Sequence, residues 1–147
     1  KNRVAPKVWL ITGCSTGLGR ALADAVLKQG DSLLATARKP EQLHPLIEDY
    51  PKTAKAVRLD VTSSQNIQAA VDATIATFGR IDVLVNNAGH GLIAALEEVS
   101  DVDIHQFFET NFFGAVRLMR AALPLMRQQG SGRIVNKYLI KINYINK

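Results

Sequence analysis

Eight residues, Thr12-Gly13-Cys14-Ser15-Thr16-Gly17-Leu18-Gly19, join a short apolar run to a segment of helical periodicity, and they limit the chain to few folds. Glycines at 13, 17 and 19 permit a tight turn and close backbone approach. The helix that follows would aim its free N–H groups and positive dipole end at the loop, which suits a phosphate. Alone, such a stretch reads equally as a glycine-rich turn. Set between a buried strand and an amphipathic helix, it has the context of a nucleotide-binding loop.

Short apolar runs and helical patterns alternate along the chain, as in a parallel sheet built from βαβ units. Residues 7–12 read as a strand, 18–29 as a helix ending at Gly30, 32–37 as a second strand, 40–50 as a short helix opened by Pro40, and 54–59 as a third strand. Over residues 63–78, Ile67, Ala70, Val71, Thr74, Ile75 and Phe78 form one core-facing stripe. Residues 82–85 read as a buried fourth strand. Ser100 and Asp103 have the spacing of a capping box before a long helix to about residue 129, which Pro124 is expected to bend or break. Residues 132–136 begin a fifth strand. Right-handed crossovers then predict an α/β, doubly wound sheet of order 3-2-1-4-5, with a ligand crevice where the winding reverses.

Charge argues against a nucleic-acid face. The net charge is +5, but residues 1–7 and 137–147 hold six of the 18 basic residues and no acid, leaving 12 basic against 13 acidic residues between them. One cysteine, Cys14, supports neither an intramolecular disulfide nor a zinc site, and no apolar run approaches the length of a membrane span. A cytoplasmic protein without a structural metal is the expectation. The helix dipole acts to lower the Cys14 pKa, but without a His or a second Cys nearby in sequence the residue reads as a small loop residue. His44, His90 and His105 lack metal-ligand spacing and read as surface or loop residues.

The T-G-x-x-x-G-x-G spacing resembles the cofactor loop of the short-chain dehydrogenase/reductase family. Asn86-Asn87-Ala88-Gly89 is similar to that family's N-N-A-G motif, and Asp60-Val61 to its pair after the third strand. Asn111 in Thr110-Asn111-Phe112-Phe113-Gly114 resembles its helix asparagine, and Gly132-Arg133-Ile134-Val135-Asn136 its fifth strand. The five motifs stand in order between residues 7 and 136. They imply a Rossmann-type domain over residues 1–136, with a complete relative that passes hydride between nicotinamide and a ketone or secondary alcohol, and that assembles as a homo-oligomer.

The resemblance implies that Gly13, Ser15, Gly17, Leu18 and Gly19 surround the pyrophosphate, that Asp60 and Val61 meet the adenine, and that Asn87, Ala88 and Gly89 lie on the adenosine ribose side. Asn111 is what remains of the catalytic set, as a water-holding link in a proton relay. Each residue also has a plain reading: Asn86 and Asn87 as turn formers, Asp60 as a cap or loop residue, Asn111 as a core amide bonded to nearby backbone on one stripe with Ile104, Phe108, Ala115, Leu118 and Ala122. After the second strand, Ala37 occupies the position where an acid would bond the ribose of NAD, and Arg38 follows. An arginine there can hold a 2′-phosphate bidentately, so NADP(H) is expected over NAD(H), the plain alternative being an exposed strand-end arginine.

The resemblance fails after Asn136. Leu139 stands where the family has its catalytic serine, and the Y-x-x-x-K tyrosine is expected beyond Lys147. The fourth residue after Tyr138 is Ile142, and Tyr144 lies too near the end to have one. Residues 137–147 are all Lys, Asn, Ile, Tyr or Leu, each encodable by A and T alone, whereas the preceding residues contain 18 alanines. We expect the family sequence to stop at Asn136, before strands 6 and 7, and the tail to lie outside the fold as a frameshift, read-through or assembly product; the alternative is a genuine divergent C-terminus. A chain that ends there leaves strand 5 as an unprotected edge, and a non-catalytic nucleotide-binding module is the competing functional reading.

Overall fold

The computed structural model describes residues 4–137. The tail from residue 138, with Tyr138, Leu139 and Tyr144, lies outside the described residues. Five parallel strands, β1 (Val8–Ile11), β2 (Ser32–Ala37), β3 (Ala54–Arg58), β4 (Val83–Asn86) and β5 (Arg133–Asn136), form one sheet in the order β3-β2-β1-β4-β5. The order matches the sequence expectation. Register is in phase along the inner strands: Ile11 pairs with Ala35 and Val85, and Asn86 pairs with Asn136.

Both faces of the inner strands β1, β2 and β4 are buried because helices cover each, which is why these strands read as continuous apolar runs. Ile11, Leu33, Ala35, Val83 and Val85 pack on one face with Ala23, Val26 and Leu27 of α1 (Gly17–Lys28) and with Leu46 of α2 (His44–Asp49). Leu10, Leu34 and Leu84 point the other way, to Ile67 and Val71 of α3 (Ser64–Phe78) and to Leu118, Ala122 and Met126 of the helix α5 (Gly114–Gln129). These three leucines are fully buried, and each contributes on the order of 2 kcal/mol of apolar burial. Among the described residues β5, like β3, is an outer strand of the sheet, with Val135 48% exposed.

Two helices begin at serine caps, of which the one at Ser100 was expected. Ser63 caps α3 by accepting from the Asn66 N–H at 3.2 Å. Ser100 caps α4 (Asp101–Phe108), accepting from the Asp103 N–H at 3.1 Å while its hydroxyl donates to the Asp103 carboxylate at 2.6 Å. The short helix expected over 40–50 divides into a 3-10 turn, Pro40–Leu43, and α2.

The long helix departs from expectation. It runs through Pro124 without interruption, and the break comes earlier, as a π-helical turn at Glu109–Phe113 between α4 and α5. Pro124 and Arg120, the residue whose carbonyl loses a partner, both belong to exposed positions of α5, where water can replace the missing N–H. Gln129 ends the run by gripping the peptide of Ile81: its side-chain oxygen accepts from the Ile81 N–H and its amide donates to the Ile81 C=O, both at 2.9 Å.

Candidate cofactor-binding site

The C-terminal ends of β1, β2, β3 and β4 open onto a cleft of about 730 Å³. Gly13, Ser15, Gly17, Leu18, Gly19, Arg38, Asp60, Val61, Asn87, Ala88 and Gly89 all line it. Residues from four strand–helix junctions therefore converge on one space, although they span 76 positions of sequence between Gly13 and Gly89. Parallel strands produce this convergence, since each ends on the same edge of the sheet.

The glycine loop is held from behind by β4. Thr12 Oγ1 accepts from the N–H groups of Asn87 and Ala88 at 3.0 and 2.8 Å. The Asn87 side-chain amide donates to the carbonyls of Thr12 and Gly13 at 2.9 and 3.0 Å. Gly19 fits under this arrangement with no room to spare: an added Cβ would lie 2.1 Å from the Gly13 carbonyl oxygen and 2.3 Å from Asn87 Nδ2. Gly17 has open space but a φ of +61°, a conformation that costs any other residue strain.

The start of α1 suits an anion. Its N-cap, Thr16, makes no side-chain capping bond, and the first turn contains no acidic residue. The leading N–H groups are thus left for a ligand or water. Cys14, beside them in sequence, is fully buried with Sγ against the Ile11 carbonyl at 3.3 Å. Burial pushes its thiol up to about 12, outweighing the bond from the Thr36 backbone and the Arg20 charge. The helix-dipole lowering considered from sequence does not prevail, and the thiol is not a nucleophile at neutral pH.

At the ends of β2 and β3, Ala37 is buried and Arg38 is exposed. Asp60 is both a cleft residue and a loop organiser. Its Oδ1 accepts from the Thr62 hydroxyl at 2.7 Å and the Thr62 N–H at 2.9 Å. Those two bonds, with smaller help from the Arg38 and Arg58 charges, hold its carboxyl below the ordinary aspartate range.

Asn111 is placed differently from the core stripe read in sequence. It sits half-buried in the π-helical turn, and Phe108 of that stripe is 45% exposed. The extra residue of the π turn shifts the helix face on either side of it. Asn111 does not itself line the cleft; it bonds both backbone groups of His90, which does.

Several lining residues escaped the sequence reading. His90, read as a surface or loop residue, is an exposed loop residue that also borders the cleft, with its ring edge-on to Phe107 at 5.8 Å between centroids. Thr62, Gln106, Glu109 and Thr110 also contribute. Lys137, grouped by sequence with the tail, continues the β4–β5 pairing through a bond from its N–H to the Asn86 carbonyl at 3.0 Å, and its side chain reaches the cleft. Its place directly after a strand, level with Asn87, is the signal that could have singled it out.

The family model for short chain dehydrogenase matches residues 7–137. The chain is 47% identical over 129 residues to the oxidoreductase BOA17 of Botryotinia fuckeliana, covering 87% of this chain and 47% of that protein. It is 40% identical over 131 residues to a 3-ketodihydrosphingosine reductase of Bacteroides thetaiotaomicron, covering 89% and 46%. A crystal structure of a short-chain dehydrogenase from Streptomyces avermitilis superposes with a TM-score of 0.87 at 46% identity, over 90% of this chain and 48% of that one. The chain thus spans about half the length of these relatives. With a strand order, a glycine loop and a matched span of this extent, the chain belongs to the short-chain dehydrogenase family.

Proposed function

We propose that the chain forms the NADP(H)-binding part of an oxidoreductase that interconverts a ketone and a secondary alcohol. Family membership implies a nicotinamide nucleotide, and the cleft fits one: the N-terminus of α1, uncapped and without acidic residues in its first turn, borders it. Gly13, Ser15, Gly17, Leu18 and Gly19 would hold the pyrophosphate, Asp60 and Val61 the adenine, and Asn87, Ala88 and Gly89 the adjoining ribose. When bound, the nicotinamide supplies or accepts the hydride.

The preference for NADP(H) rests on the pairing of a buried Ala37 with an exposed Arg38 on the cleft wall. No carboxylate occupies the position that would bond a 2′-hydroxyl, and the nearby Asp60 is engaged by Thr62. The ketone assignment draws on the name of the Bacteroides relative. Asn111, in this reading, acts on the reaction by positioning the His90 segment beside the cleft. Exposed Phe108, Phe112 and Phe113 on α4 and the π turn support self-association of the whole protein. No helix among the described residues is long and apolar enough to cross a membrane.

Fluorescence titration of the chain with NADPH and NADH tests the cofactor reading. NADPH should bind at least about tenfold more tightly, as one charge-assisted bidentate contact allows, and Arg38→Met should remove the difference. Equal affinity for the two nucleotides would overturn it. The second reading is a nucleotide-binding module without turnover. Binding of NADPH by the chain without oxidation in the presence of a panel of ketones is the result that reading expects.

A further inference from the structure

Lys137 occupies a position that neither the glycine loop nor Arg38 explains. The bond from its N–H to the Asn86 carbonyl fixes where its side chain leaves the sheet. From there Nζ donates to Asn87 Oδ1 at 3.3 Å, and the side chain lines the cleft. No carboxylate among the described residues lies within ion-pair distance of it. The bond to Asn87 is long, and a lysine has much rotamer freedom to lose, so this contact holds the ammonium only weakly. Asn87 does not depend on it, since its Nδ2 is already tied to Thr12 and Gly13.

Strand order gives the cleft a direction. Arg38 follows β2, the glycine loop follows β1, Asn87 follows β4 and Lys137 follows β5, and these strands are neighbours in that order. Three strand spacings separate the two cations, roughly 14 Å along the sheet edge. Between them lies the positive end of α1. The two charges therefore face different parts of any ligand that lies along the edge.

We propose that Lys137 is a second cationic contact for the dinucleotide, recognising the phosphate and ribose of the nicotinamide half as Arg38 recognises the adenosine half. The inference rests on the cofactor reading above. The ammonium exchanges the Asn87 oxygen for a phosphate oxygen, and Asn87 keeps its grip on the loop through its other atom. Because NADH and NADPH share that half, Lys137 contributes affinity without selecting between them, whereas Arg38 selects.

Three probes separate these roles: NADPH, NADH, and adenosine 2′,5′-bisphosphate, which lacks the nicotinamide half. Each is titrated against the unaltered chain and against Lys137→Met, Lys137→Arg and Arg38→Met. Lys137→Met should weaken NADPH and NADH alike, roughly three- to tenfold, and leave the bisphosphate unchanged; Lys137→Arg should restore both dinucleotides. Arg38→Met should weaken NADPH and the bisphosphate and spare NADH. If Lys137→Met left both dinucleotides unchanged while Arg38→Met behaved as described, the Lys137 assignment would fail and the cofactor reading would stand. Equal weakening of all three probes by Lys137→Met would reduce the residue to a support for Asn87 and overturn the proposal. A chain that bound none of the probes would overturn the cofactor reading and this inference with it.

Discussion

The side-chain amide of Asn111 grips the peptide of His90 from both sides, its oxygen accepting from the N–H at 3.0 Å and its nitrogen donating to the C=O at 2.7 Å. Gln129 does the same to Ile81, at the other end of β4. Two amides, both from the run formed by α4, the π turn and α5, thus bracket the strand that delivers Asn87, Ala88 and Gly89 to the cleft. Such a grip substitutes for the strand pairing that a loop peptide lacks.

Asn111→Ala should cost about 1–2 kcal/mol, as two lost hydrogen bonds at a half-buried position imply, and should speed hydrogen exchange at the His90 amide while leaving Leu84 unaffected. A Cβ at Gly89 would lie 2.9 Å from Asn111 Oδ1, so Gly89→Ala should displace the same amide. Denaturant unfolding of both single variants and the double variant checks the link: the two costs should be clearly less than additive.

Two glycines of one loop should respond differently to alanine. At Gly19 the new methyl meets a backbone carbonyl oxygen at 2.1 Å, and the cost should be about 3 kcal/mol or more because backbone has to move. At Gly17 there is open space and only a left-handed φ to strain, worth about 1 kcal/mol. Urea midpoints of the two variants should fall in that order, and equal midpoints would contradict the packing described for Gly19.

Cys14 makes the protein sensitive to alkali. Its ordinary value is 9.0, and burial raises it to about 12 in the folded chain. The unfolded thiol therefore ionises first, and the stability it contributes is present below pH 9 and is lost as pH rises toward 12. Cys14→Ala should flatten the fall in urea midpoint over that window. In the native chain, the thiol should resist a disulfide reagent until the protein unfolds.

Asp60 should show the opposite dependence. Its folded carboxyl titrates below the ordinary range because Thr62 donates two bonds to it, so its contribution is present above the ordinary value and is lost as pH falls through the folded one. Thr62→Val removes the hydroxyl and should move the Asp60 titration upward, as read by NMR of the side-chain carboxyl carbon. An unchanged titration would show that the hydroxyl is not the principal cause.

The order β3-β2-β1-β4-β5 and the gathering of Gly13, Arg38, Asp60 and Asn87 on one edge were legible without coordinates. Each depends on local pattern: apolar runs too short for helices, a helical stripe at Ile67, Ala70 and Val71, and polar or glycine residues where strands stop. Parallel topology does the rest, because it brings every strand end to the same side. The family motifs lie at those ends, so they were visible together.

Other features were settled by contacts between residues far apart in the chain. Asn111 and His90 are 21 positions apart, and Lys137 and Asn87 are 50. Which peptide an amide meets depends on how α5 packs against β4, and helical periodicity does not specify that. Pro124 was the visible helix breaker, yet the turn that departs from α-helix is Glu109–Phe113, which contains neither proline nor glycine. Lys137 shares the composition of the residues after it, and its bond to the Asn86 carbonyl ties it to the end of β4. Sequence by itself determined the layers, the strand order and the edge where a dinucleotide would lie. Tertiary structure decided which side chains hold that edge in shape and where its second cation stands, because those depend on hydrogen bonds across packed elements, whose geometry no local pattern encodes.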